Sequence, residues 1–277
     1  MIQLPATLSM GAVTLKVANV DQMLRFYTEG VGLKVLQSSP NGYLLGDDSV
    51  VLNLEHAPEL RQAGSHEAGL FHTAFLFTSE SALAFAVASV AKRYPGSFTG
   101  SADHLVSKAF YFDDPEGNGV ELYWDRPRSQ WQWENGEVKM ATLALDPNQF
   151  LADHLATGLS EVSSIGHVHL SVGSIDQAKD FYVNTLGFDI TTNYANTALF
   201  VAAGGYHHHM AMNIWRSRGA GRRQPTLGLG EVRIQLGSSD AYAELETNLK
   251  NARANFANTG ESIEILDPWG NQVSIRA

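Results

Sequence analysis

Apolar and polar residues follow a pattern that recurs four times along the chain. Each occurrence begins with an alternating stretch typical of a half-buried strand, continues as an amphipathic helix and ends in three further strand-like runs. We number these βαβββ units as modules one to four, and they cover residues 11–57, 68–125, 165–217 and 228–277. Residues 126–164 form a long connecting segment between modules two and three, and its Trp131 and Trp133 are expected to pack against a barrel.

The two halves of the chain are copies of each other. VANVDQMLRFYTEGVGL from Val17 and VGSIDQAKDFYVNTLGF from Val172 share six of 17 residues. DPEGNGVEL from Asp114 and DPWGNQVSI from Asp267 share five of nine. An internal repeat of this kind predicts that one supersecondary unit recurs in the fold.

Local signals place the ends of the first helix in each half. Asp21 and Asp176 follow an apolar strand pattern and are predicted to be helix N-caps. Gly32 and Gly187 follow the helices at positions that suit a left-handed C-terminal residue.

Composition narrows the class of protein. The 277 residues are 44% hydrophobic and 17% charged, which favours a packed core over disorder. A net charge of -10 argues against a nucleic-acid partner, because such binders need a basic surface. No segment resembles a signal peptide or a membrane span, so we expect a cytoplasmic protein without a membrane partner. The chain has no cysteine, so any metal must be held by histidine, aspartate or glutamate.

The βαβββ repeats with their DPxGN turns resemble the vicinal oxygen chelate superfamily, which includes glyoxalases, bleomycin-resistance proteins and extradiol dioxygenases. The resemblance covers nearly the whole chain. It implies an α+β fold in which four modules form two cupped-sheet barrels. It also implies a metal inside a cup, with ligands on the first strand of a module and a carboxylate on the last.

A sharper motif lies in module two. His104 is followed by Phe110-Tyr111, then by the turn that begins at Asp114, and then by Glu121. This spacing is similar to the signature of extradiol dioxygenases of the catechol 2,3-dioxygenase type. Ala102 departs from the family pattern, which usually has glycine or one of a few other residues two positions before the histidine.

The internal repeat also tests which residues could be ligands. His72, Glu121 and His167 occupy the strand positions at which the resemblance implies ligands. Modules one and four hold Ala12, Glu231 and Ser274 at the corresponding positions, which cannot build a three-ligand site. The ligands thus come from modules two and three, and we expect these two modules to pair, leaving modules one and four as a structural cup.

Two histidines and one carboxylate make the facial triad that suits non-haem iron(II), with manganese(II) as an alternative. The resemblance then implies O₂-dependent cleavage of catechol or a related aromatic diol. It assigns the acid–base role to a histidine on the last strand of module three, where His209 is the best match. His207 shares a face with His209, and His208 is expected to face away. The resemblance makes His104 and Tyr111 hydrogen-bonding groups of the active site.

Two other functions stay open on the same scaffold. One is a glyoxalase-like, metal-dependent isomerase or lyase, although the last strand of module three offers no second carboxylate to close the metal site. The other is a metal-free protein that binds an aromatic compound or a drug. Modules two and three could also pair between chains, so a homo-oligomer remains possible.

Overall fold

The computed structural model describes residues 3–155 and 161–277, so residues 156–160 of the predicted connecting segment lie outside the described ranges. The first half contains β1 (Ser9–Val17), α1 (Val20–Arg25), β2 (Lys34–Ser39), β3 (Gly42–Gly46), β4 (Val50–His56), β5 (Gly69–Phe77), α2 (Glu80–Arg93), β6 (Phe98–Asp103), β7 (Ser107–Asp113) and β8 (Gly119–Asp125). The connecting segment contains a 3₁₀ turn (Arg128–Gln130), β9 (Trp133–Glu134), β10 (Glu137–Val138), β11 (Leu143–Ala144) and α3 (Pro147–His154). The second half contains β12 (Val162–Ser171), α4 (Ile175–Lys179), β13 (Asp189–Tyr194), β14 (Ala198–Ala202), β15 (Met210–Asn213), β16 (Gly228–Gln235), α5 (Ser239–Asn251), β17 (Phe256–Asn258), β18 (Ile263–Leu266) and β19 (Gln272–Arg276).

The strands form two large sheets. Modules one and four make an eight-stranded sheet in the order β17-β18-β19-β16-β1-β4-β3-β2. Modules two and three, with β11 of the connecting segment, make a nine-stranded sheet in the order β11-β6-β7-β8-β5-β12-β15-β14-β13. Antiparallel pairing of β1 with β16, and of β5 with β12, joins the two modules of each sheet. The predicted fold class of four βαβββ modules in two cupped sheets is confirmed, and modules two and three share one sheet within a single chain.

The first helix of each half starts two residues earlier than predicted. Asn19 Oδ1 accepts a hydrogen bond from the backbone N–H of Gln22 at 3.1 Å, and Ser174 Oγ accepts one from Gln177 at 3.3 Å. These side chains are therefore the N-caps. The aspartates predicted for that role lie in the first helical turn, where a negative charge interacts favourably with the helix dipole.

Both of these helices widen toward their ends. α1 continues into a π-helical segment, Phe26–Val31, and α4 continues into Asp180–Thr185. The predicted C-terminal glycines follow in left-handed conformation, with φ of 101° at Gly32 and 93° at Gly187. A residue with a side chain would be strained at either position.

One large apolar core joins the two sheets. Phe26 and Tyr27 from module one are fully buried, as are Phe75 from module two and Tyr182 from module three. Side chains from both sheets and from their helices thus pack in a single core, which joins the two sheets. No helix in the described part of the chain is both long and apolar enough to cross a membrane.

Candidate metal centre

Two histidines and one glutamate converge on one face of the nine-stranded sheet. Oε2 of Glu121 lies 2.9 Å from Nε2 of His72 and 3.1 Å from Nε2 of His167. One possible ligand atom from each residue lies within 4.8 Å of the other two. All three side chains are buried. The structure thus brings together the three residues predicted as metal ligands, and they form the one such cluster found among the described residues.

Strand register explains the convergence. Ala74 on β5 lies opposite His167 on β12 and beside Glu121 on β8. His72 lies two residues before Ala74 and therefore faces the same side of the sheet. Because the Ala74 side chain is a single methyl group, the two flanking polar side chains can meet above it.

The protonation states suit a divalent cation. Burial favours the neutral form of Glu121, but the neighbouring His167 and His72 outweigh burial and hold the pKa of this carboxyl well below its usual range. Burial lowers the pKa of His167, against the opposing effect of Glu121. The cluster therefore offers one carboxylate and an unprotonated imidazole, which are the forms that bind metals.

The unsatisfied atoms of the cluster show that a metal fits. Nε2 of His72 is buried and makes no hydrogen bond, because its short contact with Glu121 lacks hydrogen-bond alignment. Nδ1 of His167 is also buried without a partner. Buried polar atoms are normally hydrogen-bonded, so the unpartnered Nε2 of His72 beside the anionic Glu121 suits a bound cation. Two nitrogen donors and one oxygen donor match the facial triad of non-haem iron sites.

The predicted pair His104 and Tyr111 flanks this cluster. Nδ1 of His104 donates to the carbonyl oxygen of Ala141 at 2.7 Å, so Nε2 accepts from the hydroxyl of Tyr111, also at 2.7 Å. The Tyr111 ring lies 5.6 Å from that of His72. Burial, together with the charge of Glu121, raises the pKa of Tyr111 well above its usual value, so its hydroxyl stays protonated.

The structure places two further histidines beside the three predicted ligands. The ring of His208 lies 4.0 Å from that of His167, centroid to centroid, and the ring of His169 lies 4.9 Å from that of His72. The expectation that His208 faces away is wrong. It rested on strand alternation, but β15 begins only at Met210, so the rule does not apply to the preceding histidines. His169, by contrast, shares a strand and a face with His167, a signal that the sequence did contain.

His209 packs against the loop that precedes it. Its Nδ1 accepts a hydrogen bond from the backbone N–H of Ala203 at 3.3 Å, and its ring packs 4.8 Å from that of Tyr206. Burial, with the nearby His207, lowers the pKa of His209 to about 3. These contacts hold a neutral imidazole against the 203–209 loop.

His207 connects the histidine run to an aspartate at the end of β8. Its Nε2 lies 2.8 Å from Oδ1 of Asp125, and its Nδ1 lies 2.7 Å from Nδ1 of His208. Tyr206 donates to Oδ2 of the same aspartate at 2.7 Å. Trp131 of the connecting segment packs against His207, with ring centroids 5.2 Å apart.

The two tryptophans of the connecting segment differ in their surroundings. Trp131 is buried and packs as predicted. The same prediction is wrong for Trp133, which is 43% exposed because β9 pairs only with β10 in a small separate sheet.

Aromatic side chains form a wall between the cluster and solvent. Phe71 lies 4.9 Å from His169 and 5.4 Å from Trp215, measured between ring centroids. Trp215 is 51% exposed, so the wall reaches the surface.

In the eight-stranded sheet, polar residues at the equivalent positions pair with neighbouring side chains. Glu231 pairs with Arg233 at 2.9 Å, and Ser274 donates a hydrogen bond to Glu264 at 2.8 Å. Ala12 is buried and apolar.

Comparisons with known proteins agree with this fold. Residues 9–122 and 164–275 match the Glyoxalase/Bleomycin resistance protein/Dioxygenase superfamily. The protein named Catechol-2,3-dioxygenase from Bacillus subtilis (strain 168) is 36% identical over 267 residues, which cover 93% of each chain. Among solved structures, a Bacillus subtilis protein gives a TM-score of 0.68 at 12% identity, covering 100% of this chain and 86% of that one. Glyoxalase I from Zea mays gives 0.57 at 14%, covering 97% and 92%.

Paired βαβββ modules with a buried two-histidine, one-carboxylate cluster define a class of proteins that can chelate metal in a cupped sheet. The chain belongs to the Glyoxalase/Bleomycin resistance protein/Dioxygenase superfamily. The resemblance drawn from the βαβββ repeats and the extradiol motif is confirmed, and the chain is a dioxygenase-like enzyme.

Proposed function

We propose that the protein is an extradiol ring-cleaving dioxygenase that inserts O₂ into catechol or a related aromatic diol. The observation that carries this proposal is the buried cluster of His72, Glu121 and His167, in which Nε2 of His72 and Nε2 of His167 lie 2.9 Å and 3.1 Å from the same carboxylate oxygen. The likeness to a protein named Catechol-2,3-dioxygenase supports the substrate class.

Iron(II) is the proposed metal, held by His72, His167 and Glu121. Bound iron(II) supplies open coordination positions and the redox chemistry that dioxygen activation requires. A set of two imidazoles and one carboxylate without thiolates suits iron(II), and manganese(II) accepts the same donors. The metal identity is tested by analysis of the purified protein.

The residues around the cluster suit a flat aromatic substrate. Phe71, His169 and Trp215 can pack against the faces and edges of a ring that enters from the surface. Tyr111, held protonated beside Glu121, can donate a hydrogen bond to a substrate oxygen. His104 fixes this hydroxyl by accepting its hydrogen bond when no substrate is present.

The proposed acid–base residue is His208 in place of the predicted His209. Ring cleavage needs a group that accepts a hydroxyl proton and later returns it, and such a group must reach the substrate. His208 packs against the ligand His167, whereas His209 is engaged with Ala203 and Tyr206. Geometry therefore favours His208.

The glyoxalase-like alternative would use a second carboxylate at the metal. The strand of module three that faces the cluster, β15, consists of Met210, Ala211, Met212 and Asn213, and none of these is acidic. A metal-free binding protein would have no use for a buried carboxylate between two histidines, whose burial is costly without a cation.

The proposal is tested by oxygen uptake after anaerobic loading with iron(II). We expect iron-dependent consumption of O₂ when catechol is added, and loss of this consumption in His72→Ala. The matched control is Glu231→Ala, because Glu231 occupies the position in module four that corresponds to His72. A loaded protein that consumes no O₂ with catechol or with ring-substituted catechols would contradict the proposal.

A further inference from the structure

Two consecutive hydrogen bonds lead from the end of β8 to His208, which packs against one of the proposed metal ligands. It runs from Oδ1 of Asp125 to Nε2 of His207 at 2.8 Å, and from Nδ1 of His207 to Nδ1 of His208 at 2.7 Å. The ring of His208 then packs on that of His167, with 4.0 Å between centroids. Asp125 lies at the outer end, where its side chain is 18% exposed.

The chemistry of the partners fixes the proton positions along this chain. A carboxylate only accepts hydrogen bonds, so Nε2 of His207 must carry a proton and donate it to Asp125. With this as the single proton of His207, the other ring nitrogen bears a lone pair. Nδ1 of His207 is therefore an acceptor, and Nδ1 of His208 must be the donor. This leaves the lone pair of His208 on Nε2.

The surroundings hold the chain in place. His207 is fully buried, and Trp131 and Tyr206 pack against its ring at 5.2 Å and 4.2 Å. The Tyr206 hydroxyl donates to Oδ2 of Asp125 and, in turn, accepts from Tyr123 at 2.8 Å. Both oxygens of Asp125 are thereby engaged, so the carboxylate cannot easily rotate.

A glycine makes room for this arrangement beside the metal cluster. A Cβ atom at Gly166 would lie 1.5 Å from the hydroxyl oxygen of Tyr123 and 3.2 Å from that of Tyr206. Any side chain at this position would displace the tyrosine pair that supports Asp125. Gly166 directly precedes the ligand His167, so the supporting network and the metal cluster are built on the same strand.

We propose that Asp125 and His207 are positioning residues that hold His208 as the Nδ1–H tautomer, with the lone pair on Nε2 available to a substrate hydroxyl. The tautomer assignment follows from these hydrogen bonds for a His207 that carries a single proton, on Nε2. Its consequence for turnover rests on the proposed function, in which His208 is the acid–base group.

The tautomer is tested directly by nitrogen NMR of the metal-free protein labelled with ¹⁵N-histidine. Imidazole nitrogen shifts distinguish a protonated from an unprotonated ring nitrogen, and His207→Gln and His208→Phe assign the signals. We expect His208 to be protonated on Nδ1 and His207 on Nε2. Protonation of His208 on Nε2 would overturn the proposal, whatever the activity of the protein.

The effect on turnover is tested by a double-mutant cycle. Asp125→Asn can donate a hydrogen bond to His207, which would reverse both tautomers and lower kcat by about 10²–10⁴-fold with KM and metal content unchanged. In the His208→Phe background, the same substitution should have no further effect, because the residue through which it acts is gone. Equal losses in both backgrounds would show a merely structural role and overturn the proposal.

The matched control for this cycle is Asp47→Asn, which removes a surface carboxylate paired with Lys34 in the other sheet. It should leave kcat unchanged. The two kinds of failure are distinguishable. A protein with the expected tautomers but no O₂ consumption would overturn the proposed function alone. If the tautomers are reversed, or if the effects of Asp125→Asn and His208→Phe on kcat are additive in an active enzyme, only the positioning role is overturned.

Discussion

The hydroxyl of Tyr27 donates a hydrogen bond of 2.9 Å to Oδ2 of Asp114, and so joins the first helix of module one to the DPxGN turn of module two. The same contact recurs in the second half, where Tyr182 donates to Asp267 at 3.1 Å. All four side chains are buried. The tyrosines of Phe26-Tyr27 and Phe181-Tyr182 therefore make the same contact with the DPxGN turn in both halves, and each contact joins one sheet to the other.

Removing this hydroxyl should weaken the fold. Tyr27→Phe leaves the buried Asp114 with one hydrogen bond fewer, and we expect the free energy of unfolding to fall by about 1–3 kcal/mol. Urea denaturation measures the change. Tyr194→Phe is the control, since Tyr194 is 60% exposed and should shift stability by less than about 0.5 kcal/mol. Equal stability of all three proteins would show that the contact contributes nothing.

The pH dependence of stability should report the neutral state of His209. Its pKa is lowered to about 3, whereas an unfolded histidine titrates near about 6.5. Between these values the unfolded chain binds a proton that the folded chain does not, so stability is complete above about pH 6.5 and falls as pH decreases. His209→Asn should remove up to about 1.4 kcal/mol per pH unit from this slope.

The measurement is a series of denaturation curves between about pH 5 and about pH 8, in which the wild-type and His209→Asn free energies should diverge only in the acidic half. An exposed histidine, His56, provides the control, and His56→Asn should keep the wild-type slope. If His209→Asn also keeps that slope, the imidazole is not buried in its neutral form.

Metal binding should depend on modules two and three alone. We expect iron(II) or zinc(II) to raise the Tm of the wild-type protein, because a ligand that binds the folded state stabilises it. His72→Ala should lose this increase while keeping its circular dichroism spectrum. Glu231→Ala, its counterpart in module four, should keep the increase. A metal-dependent Tm in His72→Ala would remove this residue from the metal site.

The exposed aromatic wall should affect substrate binding more than chemistry. Trp215→Ala removes the outermost ring of the wall, and the loss of one aromatic contact of about 1 kcal/mol should raise KM roughly fivefold with little change in kcat. Steady-state kinetics with catechol separate the two constants. A large fall in kcat at unchanged KM would place Trp215 in the chemical step instead.

The internal repeat made the fold and the metal cluster predictable. His72, His167 and Glu121 stand where modules one and four carry residues that cannot build a site, so the comparison of modules predicted that these three residues meet and that modules two and three pair. The structure contains the predicted pairing of modules two and three. Strand register depends on which faces of the strands are buried, so a duplicated hydrophobic pattern reproduces the register in each half.

The directions of the His207, His208 and His209 side chains could not be predicted from the sequence. Alternation applies only within a strand, and the three histidines precede β15, so their directions depend on the loop that begins at Ala203. The partner of His207, Asp125, is 82 residues away at the end of a different strand. No local pattern predicts a contact of that kind. The helix N-caps were displaced by only two residues, because Asn19 and Ser174 are as suitable for capping as the aspartates that follow.

The central claim is that His72, His167 and Glu121 hold one iron(II) ion in each chain. Anomalous diffraction from crystals loaded with iron(II) under anaerobic conditions, recorded on both sides of the iron absorption edge, tests it most directly. We predict a single strong peak per chain, within about 2–2.3 Å of one nitrogen of each histidine and of an oxygen of Glu121. A peak elsewhere in the chain, or no peak in crystals whose protein is active with iron in solution, would contradict the account.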